Sequence, residues 1–209
     1  MVTNSAGATL DQSGTSGGLS KGDDRAILRL HRSISDAIVL GRRTLEKERI
    51  PVPPDTPVVI LSSSGNIATH NLVMTVDSHG PLLVVTSAEG HERARHNLGT
   101  LPHRIVVTPE ATDAGALAAL IRDEVSGGRL LIEGGEQTWR LFAPECDDVW
   151  LAVTPPPLSA RAGLPPWWPA DHTPLDDPAV YTDDARMLYY HHQLRRGAPP
   201  KNTTESVLV

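Results

Sequence analysis

Cysteine is nearly missing from this chain. Cys146 is the only one in 209 residues. That excludes an internal disulfide and a cysteine-built zinc cage, and makes a reducing, cytoplasmic setting the simple expectation. An excess of basic residues is missing too. The formal net charge is −6, so the chain is not expected to bind nucleic acid in general, which needs a basic face. No apolar run approaches the ~20 residues that cross a bilayer as a helix, and no membrane partner is expected. Residues 1–20 are small and polar, with neither a basic n-region nor an apolar core, so they do not read as a signal peptide. There is no solenoid-type repeat. A Gly-x-Ser-x-Gly elbow, an HExxH pair and a full Walker loop are all lacking, which leaves serine-hydrolase, zincin and P-loop readings without support. His191 and His192 alone suggest a metal. Neighbouring residues on a strand point to opposite faces, so the two cannot chelate one ion together, and no metal is expected.

What the chain does have is one local pattern written twice. Residues 36–44 (DAIVLGRRT) and 129–137 (RLLIEGGEQ) each read as a short buried strand that ends at glycine and turns straight into a helix. Glycine lets backbone N–H groups approach a ligand closely. The helix start behind it offers unpaired N–H donors and the positive end of the dipole, which suit an anion. Two such turns suggest a ligand with more than one phosphate, and a dinucleotide is the natural candidate.

Between these turns, runs of four or five apolar residues alternate with helical stretches. Strands are predicted over 37–40, 58–61, 82–86, 104–108, 130–133 and 149–153. Helices are predicted over 24–35, with Asp23 as N-cap and Ile27, Leu30 and Ile34 on one face, over 44–49, stopped by Pro51, Pro53 and Pro54, and over 88–97. A further helix over 113–125 buries Leu117, Leu120, Ile121 and Val125 and ends at Gly127 and Gly128, and one more carries Trp139, Leu141 and Phe142. Such alternation indicates a mostly parallel sheet covered on both faces. Residues 155–180 are Pro-rich. Residues 186–196 have strand character and are expected to pair antiparallel with 149–153. One domain over 1–196 and a flexible tail over 197–209 are expected. Residues 2–5 are too short for a convincing central strand.

In their order and spacing these stretches resemble the RibD C-terminal family, the pyrimidine reductases of riboflavin synthesis, within the dihydrofolate reductase-like superfamily. The resemblance rests on residues 1–7, on Gly17 through Arg25, on Asp36 through Thr44, on Leu131 through Gly135 with Asp147 through Leu151, and on Leu188 through Arg196. It implies an α/β, dihydrofolate reductase-like fold: a mostly parallel central sheet flanked by helices, with an antiparallel C-terminal edge. It also implies an NADPH-dependent reductase of a small heterocyclic substrate, commonly a homodimer. Gly41, Arg42, Arg43 and Thr44 match the family's first nucleotide turn, and Gly134, Gly135, Glu136 and Gln137 its second. Ser62 and Ser63 fall where such folds approach the adenosine ribose phosphate. Either Arg42 or Arg43 can meet a 2′-phosphate with a forked guanidinium. Glu133 matches the family's glutamate and is expected to face the substrate; a strand-end salt bridge is the equally good plain reading.

Three departures accompany the matches. The family's first-strand Asp falls on Ala6, which cannot donate, accept or titrate. Arg43 stands where a second glycine is usual, and the Pro-rich stretch 155–169, which leads to Trp167 and Trp168 as a lid, a dimer contact or a loop anchor, replaces a Gly-rich loop. Asp11 and Lys21 are the other polar candidates for a proton donor, with loop solvation the plainer reading. Two functions follow: a reductase acting on something other than the riboflavin intermediate, or a catalytically altered, non-redox relative that binds a nucleotide or pathway intermediate.

Overall fold

The computed structural model describes residues 2–3, 8–74, 82–109, 112–154, 179–184 and 187–193. In chain order the first half comprises β1 (Val2–Thr3), α1 (Asp24–Ser33), β2 (Ala37–Gly41), α2 (Arg42–Lys47), β3 (Ile50–Pro51), β4 (Val58–Leu61) and β5 (Leu72–Val73). The second comprises β6 (Leu82–Thr86), α3 (His91–Leu98), β7 (His103–Val107), α4 (Ala114–Val125), β8 (Leu130–Glu133), α5 (Glu136–Phe142), β9 (Asp148–Val153), β10 (Ala179–Thr182) and β11 (Leu188–Gln193).

Five strands form an all-parallel sheet in the order β7-β6-β4-β2-β8. Alternate residues of its central strands feed two cores. Ile38, Leu40, Val58, Ile60, Leu82 and Val84 pack on one face with Leu45, Ala94 and Leu98. Ala37, Val39, Val59, Leu83 and Val85 pack on the other with Leu117, Ile121 and Phe142. Burial on both faces explains why these strands read as unbroken apolar runs rather than as alternating ones.

Asp36 joins β2 to the start of β8. Its carboxylate accepts from the Gly128 N–H (2.9 Å) and the Arg129 N–H (2.7 Å). A Cβ on Gly127 would lie 2.3 Å from Cβ of Asp36, so a glycine is needed there for close approach. The α4 helix is closed differently from expectation: the left-handed residue is Ser126 (φ 53°), not a glycine.

A second sheet has the order β1-β9-β11-β10. β11 runs antiparallel to β9, with His191 opposite Trp150, so the expected antiparallel C-terminal edge is present. β1 pairs parallel with β9, Val2 opposite Ala152. Its two residues therefore need not make a central strand; they make an edge. A third, two-stranded pairing of β3 with β5 was not expected, because Pro51 reads as a helix stop. Proline is compatible with an edge position, where its missing N–H costs no ladder bond.

Helix α1 departs most from the sequence reading. None of its residues is buried. Ile27 alone of the predicted apolar face packs inward, against Ala152 and Tyr189 of the second sheet and Met187 just before β11. Leu30 is 58% exposed and Ile34 47% exposed. The sheet beneath it is built of short strands and offers too little area to cover the whole stripe. Residues 4–7 with Ala6, the Pro-rich stretch 155–169, Trp167, Trp168 and the tail 197–209 lie outside the described residues.

Candidate functional site

Parallel register sets the site. Leu40 is opposite Glu133, Gly41 opposite Leu61, and Leu61 opposite Val85. The turns after β2, β4, β6 and β8 therefore open side by side at the carboxyl edge of the sheet, the usual place for ligands in such folds. They border a cleft of about 2050 Å³.

The two glycine turns touch each other. A Cβ on Gly41 would sit 2.6 Å from Thr138 Oγ1. Gly134 has φ +140°, and its Cβ would meet Thr138 Oγ1 at 3.0 Å and Thr44 Oγ1 at 3.1 Å. These glycines thus let two threonines wedge between the turns. Gly135 differs, because nothing lies within 4 Å of where its Cβ would be. The space beside it is open to the cleft.

The polar candidates divide. Arg42 is engaged along its own helix with Glu46. Arg43 is exposed and forms no ion pair with a described residue. Ser62 is buried and its Oγ donates to the Asn66 carbonyl at 2.9 Å, so that hydroxyl's proton is committed within the loop. Ser63 is exposed, and its carbonyl accepts from Ser87 Oγ (2.8 Å) and Thr86 Oγ1 (3.2 Å). The Glu136 carboxylate turns to Arg140 (2.8 Å), while Gln137 is exposed.

Glu133 is held by a residue 101 positions away in sequence. Arg32 Nε donates to Oε1 at 2.7 Å and its terminal nitrogen to Oε2 at 2.6 Å. The two side chains are only 16% and 12% exposed. Burial works against the Arg32 charge, but the hydrogen bond and charge of Glu133, with a smaller contribution from Glu48, hold its pKa above the ordinary value. Glu48 also accepts from the Ser16 N–H at 2.9 Å and ties the Gly/Ser-rich loop to α2. All three line the cleft. Arg32 and Glu48 are site residues that spacing could not reveal, since only the crossing of α1 over the end of β8 unites them.

Asp11 does not reach the cleft lining. Its carboxylate accepts from the Ser13 hydroxyl and from the N–H groups of Ser13, Thr15 and Gly18. The Ser13 side chain leads in lowering its pKa, burial opposes slightly, and the backbone bonds add to the lowering. It is a loop staple and a poor proton donor. Lys21 is exposed and likewise outside the lining.

Rings gather on the second sheet. Trp150 stacks on His191 at 4.5 Å, with Tyr181 at 6.1 Å and His31 tilted at 5.1 Å. His191 Nε2 lies 2.8 Å from Asp148 Oδ1. Burial first, then the positive charges of the N-terminus, His191 and Arg129, lower the His31 pKa against the pull of Asp148. Among the described residues no group of three or more His, Cys, Asp or Glu side chains is placed to hold a metal. No helix among them is long and apolar enough to cross a membrane.

Cys146 is no nucleophile. Burial, then the charges of Asp147, Glu145 and Asp148, push its thiol up to about 12. Native protein at pH 8 should therefore be alkylated far more slowly than the same protein in denaturant. Equal labelling rates in the two, followed by mass spectrometry, would contradict that placement.

A family model for the RibD C-terminal domain matches residues 6–145. The chain belongs to the RibD C-terminal domain family. Its fold is dihydrofolate reductase-like. No curated protein sequence matches the chain. Among solved structures, a pyrimidine reductase-like protein from Corynebacterium diphtheriae superposes with a TM-score of 0.68 at 18% identity, covering 94% of this chain and 90% of that one. Acinetobacter baumannii RibD superposes at 0.66 with 17% identity, covering 93% of this chain and 56% of its own. A deaminase/reductase from Thermotoga maritima superposes at 0.60 with 14% identity, covering 93% and 55%. This RibD C-terminal domain protein thus spans little more than half the length of the last two. At such identities the likeness speaks for the fold.

Proposed function

We propose that this protein is an NADPH-dependent reductase that delivers hydride to a carbonyl or imine carbon of a small, planar nitrogen heterocycle. The observation that carries the reading is the meeting of the Gly41 and Gly134 turns with the Arg32–Glu133 pair at one cleft. The residues present fit a dinucleotide. Gly135 leaves open space beside a helix start, and Thr44, Ser63 and Arg43, which forms no ion pair with a described residue, border the same cleft. Backbone N–H groups of the two turns would hold the diphosphate, and Arg43 the ribose phosphate. NADPH, when bound, supplies the hydride.

The chain's own residues bind and orient. The Arg32 fork and the Glu133 carboxylate present adjacent donor and acceptor atoms, a complement to the alternating polar edge of a pyrimidine-like ring. Glu48 adds a second carboxylate on the same wall. Position 6 brings no acid, so the proton that accompanies hydride comes from water, from the substrate or from another side chain. The family resemblance further supports a cytoplasmic homodimer of one domain over residues 1–196, with a small-molecule substrate and neither nucleic acid nor membrane as partner.

The direct assay follows NADPH absorbance over a panel of pyrimidine and pterin substrates. Turnover on a pyrimidine supports the reading, and failure to bind NADPH in a fluorescence titration overturns it. Ala6 favours a second reading, a non-redox protein that binds a nucleotide or pathway intermediate. It predicts NADPH binding without turnover, and no gain of reductase activity in Ala6→Asp.

A further inference from the structure

Helix α1 carries one member of the buried Arg32–Glu133 pair, yet the body holds it lightly. None of its ten residues is buried, whereas α2, α3, α4 and α5 each bury at least one. Its attachments run along one side. The Asp183 carboxylate accepts from the Asp23 N–H at 2.9 Å, just before the helix starts. Ile27 packs on Ala152, Tyr189 and Met187. His31 lies over Trp150, with ring centres 5.1 Å apart. Arg32, the next residue, forks onto Glu133. The ring contact and the ion pair therefore share the last turn of α1.

His31 is the member of this set that titrates in the physiological range, and its surroundings are cationic. From β11, His191 stacks on the same Trp150 ring at 4.5 Å. Arg129, just before β8, and the N-terminus add further positive charge. The carboxylate facing them is Asp148 on β9, and its Oδ1 already meets His191 Nε2 at 2.8 Å. Tyr181 of β10 adds another ring, 6.1 Å from Trp150. The helix end and the Trp150 ring both favour an imidazolium at His31. Burial opposes it first, the cations add to that, and together they prevail, so His31 holds its proton less readily than a free histidine.

The sign follows by linkage. Such a histidine stabilises the docked state above its ordinary value of 6.5, and the contribution is lost as pH falls below it. The loss is local, because the added charge acts at the contact of His31 with the ring group. A helix of ten residues is marginal on its own. Once off the sheet, α1 unwinds, and Arg32 leaves Glu133 with it.

We propose that α1 is an acid-released clamp: a proton on His31 drives the end of the helix off Trp150, separates Arg32 from Glu133 and opens that wall of the cleft. The device goes beyond the reductase reading and needs no bound nucleotide.

The test is hydrogen–deuterium exchange of the full chain without ligand at about pH 7.5 and about pH 5.5, corrected for the intrinsic effect of pH on exchange. Protection of residues 27–35, taken relative to α4 (Ala114–Val125), should fall roughly threefold or more in acid. His31→Phe keeps a ring without a titrating proton, and His31→Gln keeps a polar side chain without one. In each of them the ratio should be the same at both pH values, and either serves where the other fails to fold. A wild-type ratio that does not change with pH overturns the proposal. So does an equal fall in a folded variant, which assigns the titration to another group such as His191. Loss of α4 protection in step with α1 overturns it as well, since the opening is then global.

Discussion

Glu133→Ala is expected to cost about 2–4 kcal/mol of folding stability and to abolish turnover. The stability loss follows from burial. Both partners of the Arg32–Glu133 pair are mostly shielded from water, so removing the carboxylate strands a guanidinium that water in the cleft reaches only in part. Breaking such a pair by truncating one member typically costs several kcal/mol, more than the pair contributes against an apolar replacement. Glu48 offsets part of the loss, because its charge already supports Arg32. Against a total stability of order 5–15 kcal/mol the change is large. It should appear as a lowered urea midpoint with the same slope. The double replacement Arg32→Met with Glu133→Leu should recover most of the stability and none of the activity, since it removes both charges and leaves that wall of the cleft apolar. A Glu133→Ala midpoint equal to wild type would mean that the pair does not anchor α1. Normal turnover in the same variant would remove Glu133 from the site.

Gly65→Ala should be more damaging still, at about 3 kcal/mol or more, and in practice is expected as loss of soluble protein. Two costs coincide there. Gly65 has φ +70°, a conformation that side chains other than glycine adopt at a penalty of about 1–2 kcal/mol. Its Cβ would also lie 2.0 Å from the Gly90 carbonyl oxygen and 2.8 Å from the Ala94 nitrogen. Both obstacles are backbone, so no side-chain rotation relieves them and the overpacking adds to the strain. Gly90→Ala meets the reverse of the same crossing, with the Ser63 carbonyl oxygen at 2.3 Å. Gly99→Ala is the control. Its φ of +56° with ψ −119° is a combination open essentially to glycine, but nothing lies within 4 Å, so only a conformational cost of about 1–3 kcal/mol remains. Thermal midpoints decide the matter, and equal losses at Gly65 and Gly99 would refute a close crossing.

The two glycine classes show how far local reading reaches. Gly41 and Gly134 are recognisable because each ends an apolar run, and they do mark the carboxyl edge of neighbouring strands. Their tight contact is with Thr138 and Thr44, which no local rule foretells. Gly65 and Gly90 read as ordinary turn residues, and only the crossing of two turns explains why neither tolerates a side chain. Ser62 reads as a cofactor contact from its place after a strand, and only the structure shows that its hydroxyl also donates to the Asn66 carbonyl within its own loop.

Helix α1 shows the same boundary from the other side. Its period predicts an amphipathic helix correctly. The period does not say how much surface a neighbour offers, and the short second sheet covers Ile27 while leaving Leu30 and Ile34 in water.

By itself the sequence determined the alternation of strand and helix, the parallel sheet buried on both faces, the antiparallel return of the last strand, and the two glycine turns. The strand and helix periods and the glycine turns are local patterns that the order of residues records directly, while the return of the last strand joins residues 35 to 45 positions apart and was legible only as strand character at both ends. Only the tertiary structure decided that Glu133 meets Arg32, that Glu48 stands beside them, and that Arg93 reaches the Ser64 carbonyl. Arg32 and Glu133 are 101 positions apart, and Arg93 and Ser64 29. Electrostatic and hydrogen-bond partners are chosen by distance in space, and that distance is set only when the strands have taken their order in the sheet.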